Sequence, residues 1–246
     1  MAKAISNPEC PRDVEKDANM SAIRFTVPAV LALVSVAHAD LDLQWDGMLA
    51  SEQLYYSNVS SDASISWNSD ARERNQFAFA GILEMNGGAL NLVCIELAQN
   101  ATQDSVPYTT SPFDPDSDDY GRSLVLASLF INSYDTVVNS GSAAMAAAFA
   151  MMTWEIMTEN FSGADPIVIL DQVNLGLGAV QFGDYSDEAG TIFDEMKAAL
   201  YVADDSSNLI TYRNDQHQDF AGQVPAPGAL ALLFTSSLFC RGRRRS

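Results

Sequence analysis

Residues 76–97 read QFAFAGILEM-NGG-ALNLVCIEL, two apolar runs on either side of Asn86, Gly87 and Gly88. Asn and Gly readily adopt the left-handed backbone conformations of a tight β-hairpin turn, so this stretch predicts two paired antiparallel strands. The second run is apolar at consecutive positions, which indicates a strand with both faces buried. We therefore expect Cys94, within that run, to lie on an inner strand.

A helical pattern replaces the strand pattern in the second half of the chain. Apolar residues follow helical spacing along residues 122–138 and 142–159, with a turn between the two segments and Ser142 as the expected N-cap. These segments are predicted to form an antiparallel pair. A further helix is expected over residues 184–203, because acidic residues stand at its start and apolar residues recur along one face.

Two additional strands are expected at residues 63–68, where polar and apolar residues alternate, and at residues 208–212. The predicted fold class is therefore α+β. An antiparallel β-sheet from the first half is followed by the antiparallel helical pair and the further helix, with an N-terminal signal helix and a C-terminal short transmembrane helix.

The segment 224–246 combines a proline-containing stretch, an apolar run and a terminal arginine cluster. As a helix, residues 228–240 would cover about 20 Å, against about 30 Å for the hydrocarbon core of a bilayer. The arginines would hold that end in the cytoplasm. This predicts a marginal anchor suited to transient retention and proteolytic release. The residues of this sorting motif are Val224, Pro225, Ala226, Pro227, Gly228, Arg241, Arg243, Arg244 and Arg245.

This tripartite tail resembles the PEP-CTERM sorting signal of bacterial proteins, with Ala226 where the family has Glu between its two prolines. The resemblance implies an exosortase-type processing enzyme as a partner. It also implies export, with a membrane-tethered precursor that is then released or attached at the cell envelope or outside the cell.

Residues 20–39 fit a secretory signal peptide, with one arginine, an apolar core over residues 25–36 and a small-x-small cleavage site. Ala37 and Ala39 are the small residues of this site, and cleavage is expected between Ala39 and Asp40. The polar residues 1–19 are interpreted as an extension or as a misassigned start. The predicted organisation is then an exported α+β domain over residues 40–213, a polar linker over 214–223 and the sorting tail over 224–246.

The exported segment is strongly acidic. Between residues 40 and 223 there are five basic and twenty-eight acidic residues, a net charge of −23, while the full chain carries −19. Such a surface repels nucleic acid, so no nucleic-acid partner is expected. Extracellular polysaccharide, surface proteins or divalent cations are the expected partners. Cys94 is the one cysteine left after processing, which excludes an internal disulfide.

The acidic run at residues 114–119 partly matches a calcium-binding loop. Asp114, Asp116 and Asp118 match the first ligand positions of an EF-hand, but Asp119 and Val125 stand where the loop needs Gly and the bidentate Glu. A solvated acidic loop is the preferred interpretation, so no metal or cofactor is expected, with Ca²⁺ at these three aspartates as a weak alternative.

The sequence LVCIEL around Cys94 and the later AAFAMMTWEI, residues 147–156, resemble the thioester domains of bacterial surface proteins. The resemblance implies an internal thioester between a strand Cys and a helix Gln four residues before the Trp. Here Ala150 stands at the Gln position, with Trp154 four residues later, so no thioester can form there. The degenerate thioester positions are thus Cys94, Ala150 and Trp154, and an inert buried thiol is favoured over a reactive one.

Hydrolytic sites are not indicated, because His217 is the one histidine expected after processing. The sequence therefore predicts a non-enzymatic exported protein of the cell surface or extracellular matrix, with a structural or interaction role. Two alternatives stay open: a covalent adhesin of the thioester type that uses Cys94, and a weaker candidate, a secreted carbohydrate-active enzyme that uses two of the many acids.

Overall fold

One antiparallel sheet of eight strands forms the centre of the structure. The computed structural model describes residues 40–58, 76–97, 99–113, 120–158, 165–178 and 180–224, all within one unit of the chain. The strands are β1 Asp40–Leu43, β2 Trp45–Asn58, β3 Gln76–Met85, β4 Leu90–Cys94, β5 Val106–Ser111, β6 Val180–Gly183, β7 Leu209–Asn214 and β8 His217–Gln223.

The order of strands across the sheet is β1-β5-β7-β8-β4-β3-β2-β6. Every strand pairing is antiparallel, and several join segments far apart in sequence, such as Thr109 with Arg213 and Val93 with Ala221. The sheet thus draws strands from both halves of the chain. The expectation that it came from the first half alone was wrong.

The hairpin predicted at residues 76–97 is confirmed. β3 and β4 pair from Ile82 to Met85, and the turn places Asn86 at φ 54° and Gly87 at φ 70°. The side chain of Asn86 also fastens the turn to the β1–β2 junction, because Nδ2 donates to the carbonyl of Asp42 (3.0 Å) and Oδ1 accepts from the amide of Gln44 (2.9 Å). β4 pairs with β3 and β8, so Cys94 does lie on an inner strand.

The helical segments are α1 Tyr120–Leu129, a π-helical turn Phe130–Tyr134, α2 Asp135–Ser140, α3 Ala143–Thr158, α4 Pro166–Gln172 and α5 Asp187–Ala198. α1 and α3 run antiparallel, as predicted. The start of α1 meets the end of α3 where Arg122 donates to the carbonyl of Ile156 (3.1 Å), and farther along the two helices Phe130 packs edge-on against Phe149 (5.1 Å between ring centroids). Gly141, at φ 63°, ends α2, and Ser142 caps α3.

Helix α3 is buried on all sides rather than along one stripe. Every residue from Ala146 to Ile156 is at most 2% exposed. It contacts β2, β3 and β4 on one side and α1 and α5 on the other. A helix with apolar side chains on nearly all sides belongs in a core, and its alanines allow close approach to the sheet. α3 therefore presents Trp154 directly beneath the sheet.

One segment predicted as a linker contains a strand. Residues 214–223 include β8, which lies between β7 and β4 and completes the centre of the sheet. Two further strands, β5 and β6, were not predicted from the sequence. The further helix is confirmed as α5, with Ser186 as its N-cap.

Some predicted elements lie outside the described residues: the strand at 63–68, the signal helix and the short transmembrane helix. Within the described ranges, no helix combines the length and apolar character needed to cross a bilayer.

Candidate functional site

A cavity of about 240 Å³ opens where β3 and β4 separate. β4 pairs with β3 only opposite Ile82–Met85, so in the described structure the first half of β3 pairs only with β2. The chain after β4 turns away and passes through Leu97 and Asn100, leaving a gap in the sheet. α3 closes the floor of this gap with Trp154.

Cys94, the last residue of β4, lines this cavity but is only 3% exposed. Its Sγ donates to the carbonyl of Glu96 (2.5 Å) and accepts from the amide of the same residue (3.3 Å). Burial raises the pKa of the thiol to about 12, while the Glu96 backbone and the Trp154 side chain offset part of that rise. The thiol is therefore protonated at neutral pH.

Two polar atoms of cavity-lining residues are enclosed by protein. Oε1 of Gln99 has no hydrogen-bond partner among the described residues, and Nε1 of Trp154, a residue only 2% exposed, has the Cys94 thiol as its neighbour. The Trp154 ring itself is fixed, because it stacks on Phe182 with 5.9 Å between the centroids. A buried donor or acceptor without a partner costs about 1–3 kcal/mol. Both atoms are enclosed by protein, so neither faces the open volume of the cavity.

Aromatic rings form the rim of the cavity. Phe77 and Phe79 are 64% and 63% exposed, and Tyr55 meets Phe77 edge-on at 5.4 Å. The face of β3 that carries these two rings is buried at Leu83 and Met85 but exposed in the first half of the strand. Large exposed apolar side chains that cluster beside a cavity are typical of a binding surface.

Two acids, Glu96 and Asp219, lie close to Cys94 and to each other. Burial raises the pKa of Glu96, and the charge of nearby Asp219 raises it further. Burial also raises the pKa of Asp219. Two contacts offset part of this rise: the amide of Asn214 donates to Oδ1 of Asp219 (2.9 Å), and Nη1 of Arg213 lies 3.5 Å from Oδ2. This acidic pair was not identified from the sequence, because Asp219 lay in the segment read as a linker.

We expect the folded protein to be more stable near pH 5 than near pH 7.5. A carboxyl whose pKa is raised by folding stabilises the folded state below its ordinary pKa, and that contribution is lost as pH rises through the folded value. Thermal midpoints at the two pH values measure the effect. Glu96→Gln should flatten the pH dependence, whereas Glu195→Gln, at an exposed position of α5, should leave it unchanged. Stability that increases with pH would contradict this assignment.

The structure brings together two of the three degenerate thioester positions. Cys94 and Trp154 both line the cavity, whereas Ala150, one turn earlier on α3 and fully buried, does not. The sequence interpretation missed Gln99 and Gln218, which line the same cavity. Gln218 Nε2 donates to the carbonyl of Glu96 (2.9 Å), and the side chain of Gln99 hydrogen-bonds to the Glu96 carboxylate.

The remaining predicted positions are distributed as follows. Several predicted positions lie outside the described residues: Asp114, Asp116 and Asp118, the cleavage residues Ala37 and Ala39, and the sorting residues from Pro225 onward. Asp40 begins β1, and Val224 directly follows β8, with its amide bonded to the carbonyl of Asn208 (2.8 Å). In the described part of the chain, no three His, Cys, Asp or Glu side chains are grouped to hold a metal ion.

The fold and this site define an α+β domain with a small cavity at a split in its sheet, rimmed by aromatic side chains and without a charged side chain among the described residues that line it. No protein-family model, curated protein or solved structure matches the chain.

Proposed function

We propose that the chain is an exported, non-enzymatic protein of the cell surface or extracellular matrix with a structural or interaction role. Its leader at residues 20–39 and its PEP-CTERM-like tail at residues 224–246 support export, exosortase-type processing and a membrane-tethered precursor. After processing, the domain resides at the cell envelope or outside the cell.

The observation that carries this proposal is the pair of signals in the sequence: an apolar core with a small-x-small site before Asp40, and a proline motif, apolar run and arginine cluster from Val224 onward. The first described strand begins at Asp40 and the last ends at Gln223. Cleavage at the two signals would therefore remove none of the described strands or helices.

Deletion of residues 225–246 tests the sorting function. Because the amide of Val224 bonds to Asn208, the deletion should begin at Pro225 so that β8 is kept intact. We expect the precursor to lose its membrane association, as measured by cell fractionation, because the apolar run and its arginines provide the anchor.

A matched variant separates charge from sequence in the tail. Replacement of Arg241, Arg243, Arg244 and Arg245 by lysine should preserve membrane association, since the positive charge is kept. Membrane association of the truncated chain would overturn the sorting function.

A covalent adhesin is the second candidate, and the two glutamines at the cavity favour it. In such a protein the Cys94 sulfur would attack the side-chain carbonyl carbon of Gln99 or Gln218. The C–N bond would break, and ammonia would leave with the thiol proton, lowering the mass by about 17 Da. An amine on a target surface would then displace the thiol. The raised pKa of Cys94 opposes this chemistry, because the thiolate is the nucleophile.

A further inference from the structure

The first half of β3 has an open edge on its cavity side. β2 pairs with β3 along residues 76–85, but β4 pairs with it only from Ile82 to Met85. Successive residues of an antiparallel strand turn their N–H and C=O groups alternately to the two neighbouring strands. Alternate residues between Phe77 and Gly81 therefore direct main-chain groups into the gap, where no strand or loop hydrogen bond from the described residues reaches them.

A row of main-chain donors and acceptors is matched by another extended chain. A peptide that lies beside the strand pairs its own N–H and C=O groups with the row, at the strand repeat of about 3.3 Å per residue. Its side chains alternate between the two faces of the enlarged sheet. The open edge therefore indicates a peptide rather than a small ligand.

The gap is bounded on its other side by the segment that follows β4. Leu97, Asn100 and Ala101 line the cavity, and the carbonyl of Asn100 accepts from the amide of Gln218 on β8 (3.3 Å). A second copy of the folded domain carries the same segment beside its own β3. Two such edges could meet only if both segments moved aside. The fold therefore favours a single extended chain over a second copy.

The side chains around the open edge define the residues that fit at the centre of the peptide. No Asp, Glu, Lys or Arg is among the described residues that line the cavity of about 240 Å³. A charged side chain that pointed into it would leave water without a compensating partner. At the rim, Phe77 and Phe79 are about two thirds exposed and can pack beside apolar or β-branched side chains of an added strand. The central residues of the peptide are thus uncharged.

The ends of the peptide lie in a negative field. The chain carries a net charge of −19, and the charges of Glu96 and Asp219 act on Cys94 at the cavity. Arg213 pairs with Asp219, which leaves Glu96 uncompensated by that contact. Such a field attracts cationic groups and repels anionic ones. Basic residues at the ends of the peptide therefore complement the protein.

We propose that residues 77–81 of β3 bind an extended segment of a partner protein as an added strand. The segment has uncharged side chains at its centre and basic residues at its ends. Its main chain pairs with the open edge of β3, and the side chains on one of its faces enter the cavity. This assignment rests on the proposed interaction role and specifies the chemistry of the partner.

Hydrogen exchange tests the open edge directly. The purified full-length chain is kept in a polyoxyethylene detergent, and mass spectrometry with electron-transfer fragmentation resolves single amides. In the free protein, alternate amides between Phe77 and Gly81 should exchange rapidly, because no partner protects them. The acetylated and amidated peptide KTVTVTK should slow the exchange of these amides at least about tenfold.

Matched peptides separate charge from main-chain pairing, with the Kd measured by isothermal titration calorimetry. The peptide ETVTVTE should bind at least about tenfold more weakly than KTVTVTK. Two further versions of KTVTVTK carry N-methyl groups on the threonine amides or on the valine amides. At least one of them should bind about tenfold more weakly, because methylation removes the N–H donors that face β3.

Two variants locate the binding. Phe79→Ala should raise the Kd of KTVTVTK about threefold or more, because it removes a cross-strand aromatic contact. Tyr201→Ala, which removes an exposed aromatic side chain (43% exposed) outside the cavity lining, should leave the Kd unchanged. Thermal midpoints confirm that each variant is folded.

Four results would overturn the proposal. Protection of all amides of residues 77–81 in the dilute free protein would show that the chain itself covers the edge, and protection that increases with protein concentration alone would show a second copy there. The others are absence of KTVTVTK binding up to about 1 mM and equal binding of KTVTVTK and both methylated versions. Failure here is distinct from failure of sorting, because deletion of residues 225–246 can release the chain from membranes whether or not a peptide binds.

Discussion

In the folded protein, iodoacetamide at about pH 8 should alkylate Cys94 at least about a thousandfold more slowly than in the unfolded chain. Folding raises the pKa of this thiol from 9.0 to about 12, and the thiolate fraction falls by a factor of ten for each unit. The side chain is also only 3% exposed. Intact-mass spectrometry over time measures the rate.

The experiment requires Cys94 to be the only thiol, so Cys10→Ser and Cys240→Ser are introduced first. The same variant in concentrated guanidinium chloride gives the rate at which Cys94 is alkylated in the unfolded chain. Equally fast alkylation in both states would show a reactive thiol. A native mass lower by about 17 Da would establish the covalent adhesin instead, provided that methylamine then adds about 31 Da, which gives a chain about 14 Da above the unmodified mass with a free thiol.

Gly81→Ala should destabilise the protein by about 3 kcal/mol, a fall of about 6–12 °C in the thermal midpoint. β2 bulges between Met48 and Ala50 and brings its backbone against Gly81. A methyl group at Gly81 would lie 2.1 Å from the carbonyl oxygen of Ala50 and 2.6 Å from Cβ of Ser51. Backbone cannot move aside as a flexible side chain can, so the two strands must separate.

Gly183→Ala is the matched control, since Gly183 also lies on a strand that pairs with β2. A methyl group there meets nothing within 4 Å, and the backbone needs no left-handed conformation. We expect a change within about 1 kcal/mol, or slight stabilisation, because alanine restricts the unfolded chain. Equal midpoints for the two variants would show that β2 and β3 do not approach this closely.

The elements predicted correctly are those whose signals are local. The hairpin follows from Asn86 and Gly87, which adopt the expected left-handed conformations. α3 follows from an alanine- and methionine-rich apolar run with Ser142 as its cap. In each case, neighbouring residues in sequence supply both the propensity and the end signals, so no knowledge of the rest of the chain is required.

The elements that were missed depend on partners far away in sequence. β8 contains Gln218 and Asp219, and its polar composition looks like a linker until β4 and β7 pair on either side of it. β5 is similar, because Thr109 pairs with Arg213 and with Asp40. Strand propensity reflects such contacts rather than the sequence of the strand alone.

The candidate site was predictable only in part. Cys94 and Trp154 stood out from the sequence, but their convergence on one cavity depends on the point at which β4 ends and on the burial of α3. Gln99 and Gln218 are more than a hundred residues apart in sequence, and no local pattern connects them. Phe77 and Phe79 are exposed on the first half of β3, which has no partner on its cavity side among the described strands.

Mapping both ends of the protein isolated from its native cells tests the central claim most directly. Intact mass and terminal peptide sequencing should give a chain that begins at Asp40, lacks the arginine cluster of the tail and is recovered from the envelope or the medium. A cytosolic chain that retains residues 20–39 and Arg241 to Arg245 would contradict the account.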